Sequence, residues 1–235
     1  MGTPLTGTSV GVIDKAWLIL TEIAKGPLSV QNVALQTGMA RPTAHRIIKS
    51  LEYHRIVVRD LLGRYVIGPA PFALVSNYMR DPLGEAVETI LQALQQAAAT
   101  EALLFWADGI ERICIAATAP EVYGVQIGTR LPPSHASSAL TIFAWSTARR
   151  LAARNHISTT PAEFNKIRHS GWAQGNTYAD SISTSAPVRD PKGEVVAAVT
   201  LAARYDKRTD NHWLNQAQQV KAAAKELSNI LAEFA

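Results

Sequence analysis

The chain has one cysteine in 235 residues, Cys114, which excludes any internal disulfide framework. It lies in the apolar run Ile113-Cys114-Ile115-Ala116-Ala117 and reads as a buried thiol. No window approaches eighteen uninterrupted apolar residues, so no membrane-spanning helix is expected. The run MGTPLTGTSVGVIDKAW has no basic stretch followed by an apolar one, so no secretion signal is read and a cytoplasmic location is expected. The six histidines are dispersed at positions 45, 54, 135, 156, 169 and 212, without an HExxH or CxxC pairing. His135 has Ser137 and Ser138 nearby, but no G-x-S-x-G elbow is present. Gly109, Gly124 and Gly128 stand alone rather than forming a phosphate-cradling loop. These absences argue against an enzyme, and no cofactor or metal is expected.

Charge is scarce, at 18% of residues, but unevenly placed. Residues 1–78 hold eight Lys or Arg against four acids, whereas the remainder holds fifteen of each. The whole formal excess of +4 therefore lies in the first third. Such an asymmetry points to a polyanion-binding module joined to a neutral one.

Hydrophobic periodicity and turn residues outline the modules. A first helix is expected over 12–25, with Ile13, Ala16, Trp17, Leu20, Ile23 and Ala24 as its apolar stripe, ended by Gly26-Pro27. Ser29 is a good N-cap for a short second helix, and Gly38 supplies the turn after it. A third helix opens at Pro42 and runs to about His54. Ile56–Val58 and Tyr65–Ile67 read as a hairpin. This order is the outline of a winged helix-turn-helix. Pro69 and Pro71 mark a boundary, followed by a short connecting helix to Met79. The later chain carries an Ala- and Leu-rich helix and two hairpins around Asp108-Gly109 and Asp190–Gly193. A capping box at Thr160–Glu163 opens a helix ending at Gly171, and a last helix covers roughly 213–234. The expected class is α+β: a winged helix-turn-helix domain over 9–71, a helical linker over 72–80 and an α+β domain over 81–235.

Within the third helix, Ala44, Ile47, Ile48 and Leu51 share one side at i, i+3, i+4 and i+7. Pro42, His45, Arg46 and Lys49 share the other, flanked by Thr43. A helix whose first turns project Arg and Lys suits the major groove, where Arg takes guanine bidentately and Lys or Thr reaches phosphates. Arg41 lies just before it, and Arg59 and Arg64 lie on the wing, placed for backbone phosphates. Glu52 and Arg55 read as the solvated far end. The DNA-contact set is thus Arg41, Pro42, Thr43, His45, Arg46, Lys49, Arg59 and Arg64. The alternative is a protein-interaction winged-helix adaptor without ligand sensing, which salt-dependent DNA retention would separate. Trp17, Phe72 and Leu74 read equally as core or as a dimer interface.

The run LSVQNVALQTGMARPTAHRIIKSLEYHRIVVRDLLGRYVIGP resembles the DNA-binding domain of the IclR family of bacterial transcriptional regulators. Thr43 and Arg46 match its third-helix pattern, and Gly63, Arg64, Tyr65, Ile67 and Gly68 match its wing. The resemblance extends from about Ser9 to the end. VGVIDKA, ARPTAHR, LEYHR, RICIAA, GWAQ and SAPVRD resemble an actinobacterial branch associated with leucine biosynthesis and related amino-acid pathways. The resemblance implies a transcriptional regulator, repressor or activator, with a GAF/PAS-like effector-binding domain. Its implied partners are a double-stranded, pseudo-palindromic DNA operator and a small-molecule metabolite effector. The implied assembly is a homodimer or a dimer of dimers, with no membrane. It also implies an effector site at Ser134, Ala136, Ser137 and Ser138, at Ser183 where many members have Cys, and at Thr200. Backbone N–H groups opening a helix after Leu131-Pro132 suit a small carboxylate. The family's acidic run is shortened here to GNTYAD, with Asp180 as the candidate replacement. Ala202 stands where a second Ser is common. The pocket therefore has fewer polar anchors than those for hydroxy- or keto-acids, implying a more apolar ligand or none.

Overall fold

The computed structural model describes residues 11–79, 82–119, 125–176, 181–204 and 210–233. The chain divides into two compact units, residues 1–81 and 82–235. In the first, α1 (Gly11–Ala24), α2 (Val30–Thr37) and α3 (Arg41–Tyr53) precede β1 (Val57–Arg59), β2 (Tyr65–Ile67) and α4 (Ala70–Met79). Local chemistry sets these boundaries. Ser29 Oγ accepts the Asn32 N–H at 3.2 Å and caps α2. Gly38 ends that helix at φ 66°, a left-handed conformation natural to glycine. Asp60 Oδ1 closes the β1–β2 turn by accepting the N–H groups of Leu62 and Arg64 at 2.9 and 2.8 Å.

The core of this unit joins Ile19 and Ile23 of α1 to Val33 of α2, the α3 stripe, Val57 and Tyr65. The α1 stripe differs from the sequence expectation. Ile13 and Trp17 are 65% and 61% exposed, whereas Ile19 is fully buried. The helix GVIDKAWLILTEIA is apolar on more than one side, so periodicity alone selects no face. Packing selects Ala16, Ile19, Leu20 and Ile23, which recur at i, i+3, i+4 and i+7.

The second unit comprises α5 (Pro82–Ala98), β3 (Glu101–Asp108), β4 (Glu111–Ala117), β5 (Arg130–Leu131), α6 (Ser137–Ala144), α7 (Thr147–Ala153), α8 (Pro161–Ser170), β6 (Ala173–Asn176), β7 (Ser181–Arg189), β8 (Val195–Arg204) and α9 (Asp210–Glu233). The strands form one antiparallel sheet in the order β5-β4-β3-β8-β7-β6. The Thr160–Glu163 capping box forms as expected, and Gly171 ends α8 at φ 78°. One sheet face carries α5 and α9, with Leu91, Leu94, Val220 and Leu227 packed among Leu104, Val199 and Leu201. The opposite face carries α6 and α8, whose Ile142, Phe143, Phe164 and Ile167 close over Ala107, Ala173 and Ala198. A smaller apolar cluster on that side joins Leu103, Phe105, Cys114, Val125 and Ala202.

Candidate nucleic-acid interface and effector site

The α3 stripe is inward as expected, with Ala44, Ile47, Ile48 and Leu51 all buried. Arg41, Pro42, His45, Arg46 and Lys49 are exposed, and Thr43 is half-buried. Among the described residues, Arg41, His45 and Arg46 take part in no ion pair. Their donors face solvent at the start of the helix. A groove of about 370 Å³ between α1 and α3 is lined by Lys15, Thr43, Arg46 and Ser50 among others. Lys15 is exposed there and is absent from the sequence-derived contact set. The local charge excess pointed to it, but one sequence cannot say which side of α1 lies beside α3.

The other three cations of the set are already engaged. Lys49 donates to Glu52 at 2.9 Å, and Arg59 Nε donates to the other Glu52 oxygen at 3.2 Å. Arg59 also donates to the Tyr65 hydroxyl at 2.6 Å, and its guanidinium lies 4.9 Å from the Tyr65 ring centre. The hydrogen bond from Lys49 holds the Glu52 carboxyl below its ordinary value. Glu52 is therefore a clamp between α3 and the wing, not the freely solvated residue its helix position suggested. Arg64 pairs with Asp60 at 2.7 Å within the wing turn. Exposed pairs of this kind contribute about 0–1 kcal/mol, so phosphate can replace the carboxylate cheaply. Glu52→Gln is expected to tighten binding to a random duplex by roughly 0.2–1 kcal/mol and to steepen its salt dependence. Fluorescence anisotropy across a salt series checks this, and unchanged affinity and slope would contradict it.

In the second unit, Ser137, Ser183 and Thr200 converge, joined by Ser185, which sequence reasoning did not single out. Ser137 Oγ donates to Ser183 Oγ at 2.7 Å and lies 2.6 Å from Ser185 Oγ. Ser185 Oγ lies 2.8 Å from Thr200 Oγ1, and Ser183 Oγ donates to the Gly175 carbonyl at 3.0 Å. All four hydroxyl residues are buried. The chain of hydroxyls pins the start of α6 to β7, β8 and β6. The alternation Ser181-Ser183-Ser185 along β7 held the signal for Ser185, because a strand's period of two puts these on one face.

Ser134 and Ser138 serve a different centre. Arg112, itself buried, donates to Ser138 Oγ at 2.8 Å, to the Pro132 carbonyl at 2.7 Å and to Ser134 Oγ at 3.4 Å. Ala136 is the N-cap of α6, and its N–H donates to Ser134 Oγ at 3.3 Å. The expected site residues thus fall into two neighbouring networks, and Asp180 lies outside the described residues. Gly175 of β6 lies against this loop so closely that a Cβ there would stand 2.1 Å from the His135 carbonyl oxygen.

Glu101 was not foreseen either. It is 3% exposed, and neither carboxylate oxygen has a hydrogen-bond partner among the described residues. Burial pushes its pKa up to about 7. Burial, reinforced by the Glu101 charge, pushes the Cys114 thiol up to about 12, so this cysteine is not a reactive thiolate.

Comparison with known proteins follows this division. Residues 13–61 match the family model described as the IclR helix-turn-helix domain. Residues 125–229 match the model for the C-terminal domain of the bacterial transcriptional regulator IclR. The comparison with curated proteins finds no match. Among solved structures, an IclR transcriptional regulator from Alicyclobacillus acidocaldarius aligns with TM-score 0.82 at 16% identity, covering 96% of this chain and 100% of that one. An IclR regulator from Silicibacter sp. TM1040 aligns with TM-score 0.82 at 20% identity, over 94% and 97%. An IclR homolog from Microbacterium hydrocarbonoxydans, solved in complex with 4-hydroxybenzoate, aligns with TM-score 0.72 at 15% identity, over 94% and 98%.

Proposed function

The chain belongs to the IclR family of bacterial transcriptional regulators, and from that premise we propose that it reads a pseudo-palindromic DNA operator as a homodimer under the control of a small metabolite. The observation that carries the DNA half is the outward start of α3. Arg41, His45 and Arg46 are exposed there, without carboxylate partners among the described residues, on a helix anchored by four buried apolar residues. Arg46 is the candidate for a base contact, Lys15 and Arg41 for phosphates. Lys49, Arg59 and Arg64 exchange their carboxylates for the DNA backbone on binding.

The exposed apolar side chains Val12, Ile13, Trp17 and Leu18 of α1 and Phe72, Leu74 and Val75 of α4 support the dimer. Two recognition helices related by a two-fold axis then call for half-sites about one helical turn, or a multiple of it, apart. The buried hydroxyl chain and the Arg112 network supply polar groups for a sensing site in the second unit. The regulated genes are proposed to serve amino-acid biosynthesis, leucine genes among them, on the strength of the sequence phrases shared with that branch. A ligand acts only through its differential affinity for the arrangements that do and do not fit the operator.

Arg46→Ala in the full chain is expected to weaken operator binding by about 1–3 kcal/mol if its guanidinium makes a bidentate base contact. Operator titration by anisotropy checks this alongside circular dichroism for folding. A folded variant with unaltered operator affinity would remove Arg46 from the interface.

A further inference from the structure

We propose that the sensing site takes a small organic cation, an ammonium group on an aliphatic body, with Glu101 as its counter-ion; this rests on the reading of the second unit as a metabolite sensor. Ionised and unpartnered, a carboxylate this deeply buried is strongly unfavourable. Among the described residues, neither of its buried oxygens has a hydrogen-bond partner. The hydroxyls nearby are different, because Ser137, Ser183, Ser185 and Thr200 already bond one another. A ligand approaching them must break existing bonds, whereas one approaching Glu101 satisfies an empty acceptor.

The strand register places this carboxylate on the same sheet face as the hydroxyls. Glu101 of β3 stands opposite Ala202 of β8, which stands opposite Ser183 of β7. Directly opposed residues of an antiparallel sheet share a face, so all three lie in one row. With strands about 4.8 Å apart, the Cα atoms of Glu101 and Ser183 are roughly 10 Å apart. Only the methyl group of Ala202 stands between them on that row. Leu103, Phe105, Cys114 and Val125 cluster with Ala202 and form an apolar bed beside it. A head that donates and a body that is greasy match the buried carboxylate and this apolar cluster. An ammonium carries three donors and opposite charge, so each contact with Glu101 is charge-assisted. A carboxylate head at the same place would meet like charge.

Calorimetric titration of the full chain with 3-methylbutylamine and with 3-methylbutanoate tests this. The two probes share a body and differ in head charge. Glu101→Gln keeps the side-chain shape and removes an unpartnered buried charge, so it is expected to fold at least as stably. The amine should bind at least about tenfold more tightly than the acid, and Glu101→Gln should weaken the amine at least about tenfold. No amine binding, tighter acid binding, or equal amine affinity in Glu101→Gln would overturn the proposal. If the acid binds and Ser137→Ala removes that binding, the sensor reading stands and the Glu101 assignment alone falls. If neither probe binds, the Glu101 assignment falls as well. A shift of the full chain's melting temperature by a metabolite extract then decides the sensor reading separately.

Discussion

Gly68→Ala is expected to weaken operator binding strongly by destabilising the first unit. A Cβ at Gly68 would stand 2.2 Å from the Arg55 carbonyl oxygen and 3.0 Å from its carbon, both backbone atoms that cannot swing aside. Two backbone hydrogen bonds hold this contact in place. The Gly68 N–H donates to Ile56 at 2.8 Å, and the Ala70 N–H donates to Arg55 at 3.1 Å. Arg55 itself turns the chain out of α3 with φ 57°. The end of the recognition helix, the end of the wing and the start of α4 therefore meet at one point. Relieving the clash means moving the wing away from α3, at a cost of about 3 kcal/mol or more. Domains of this size have only about 5–15 kcal/mol in total. Differential scanning calorimetry should show an earlier transition for the first unit, with the second unit's transition unmoved. Wild-type melting and operator affinity would contradict the packing described for this junction.

Gly175→Ala is expected to have the matching effect on the second unit. The added methyl would stand 2.1 Å from the His135 carbonyl oxygen and 2.7 Å from the Ser137 amide nitrogen. Gly175 also accepts the Ser183 hydroxyl, so displacing β6 breaks the hydroxyl chain that fixes the start of α6. A loss of about 3 kcal/mol is expected here too, together with the effector response. The calorimetric transition of the second unit reports the first, and effector-dependent operator release reports the second. A variant with normal stability and response would show that β6 can withdraw from the loop without consequence.

Much of the first unit was legible because its signals are local. A serine cap, a glycine stop and a proline start fix α2 and α3 within a residue or two. The i, i+3, i+4, i+7 stripe of α3 names its buried face without tertiary information. The α1 face was not legible, because Ile13 and Trp17 are as apolar as Ile19 and only the neighbours decide which are covered. The Glu52 clamp was missed for a related reason. Its two cationic partners lie three residues ahead and seven residues on, and the second meets it only after the chain has turned into the wing. In the second unit, hairpin turns and the Thr160–Glu163 box were readable. The helix α6 carried no period, since all eight of its residues are buried and nothing in SSALTIFA marks an outer side. Ser137, Ser183 and Thr200 were reached through family resemblance. Ser185 was signalled by the local alternation Ser181-Ser183-Ser185, whereas Glu101 required the strand register, which pairs residues far apart in sequence.

Selection of fragments from the source genome by the full chain, followed by titration of the recovered fragment across a salt series, tests the central claim most directly. The account predicts enriched fragments sharing two half-sites related by a pseudo-two-fold axis. It also predicts that log affinity falls linearly with log salt, as release of counter-ions from several phosphates requires. Fragments without a common site, or an affinity indifferent to salt, would contradict it.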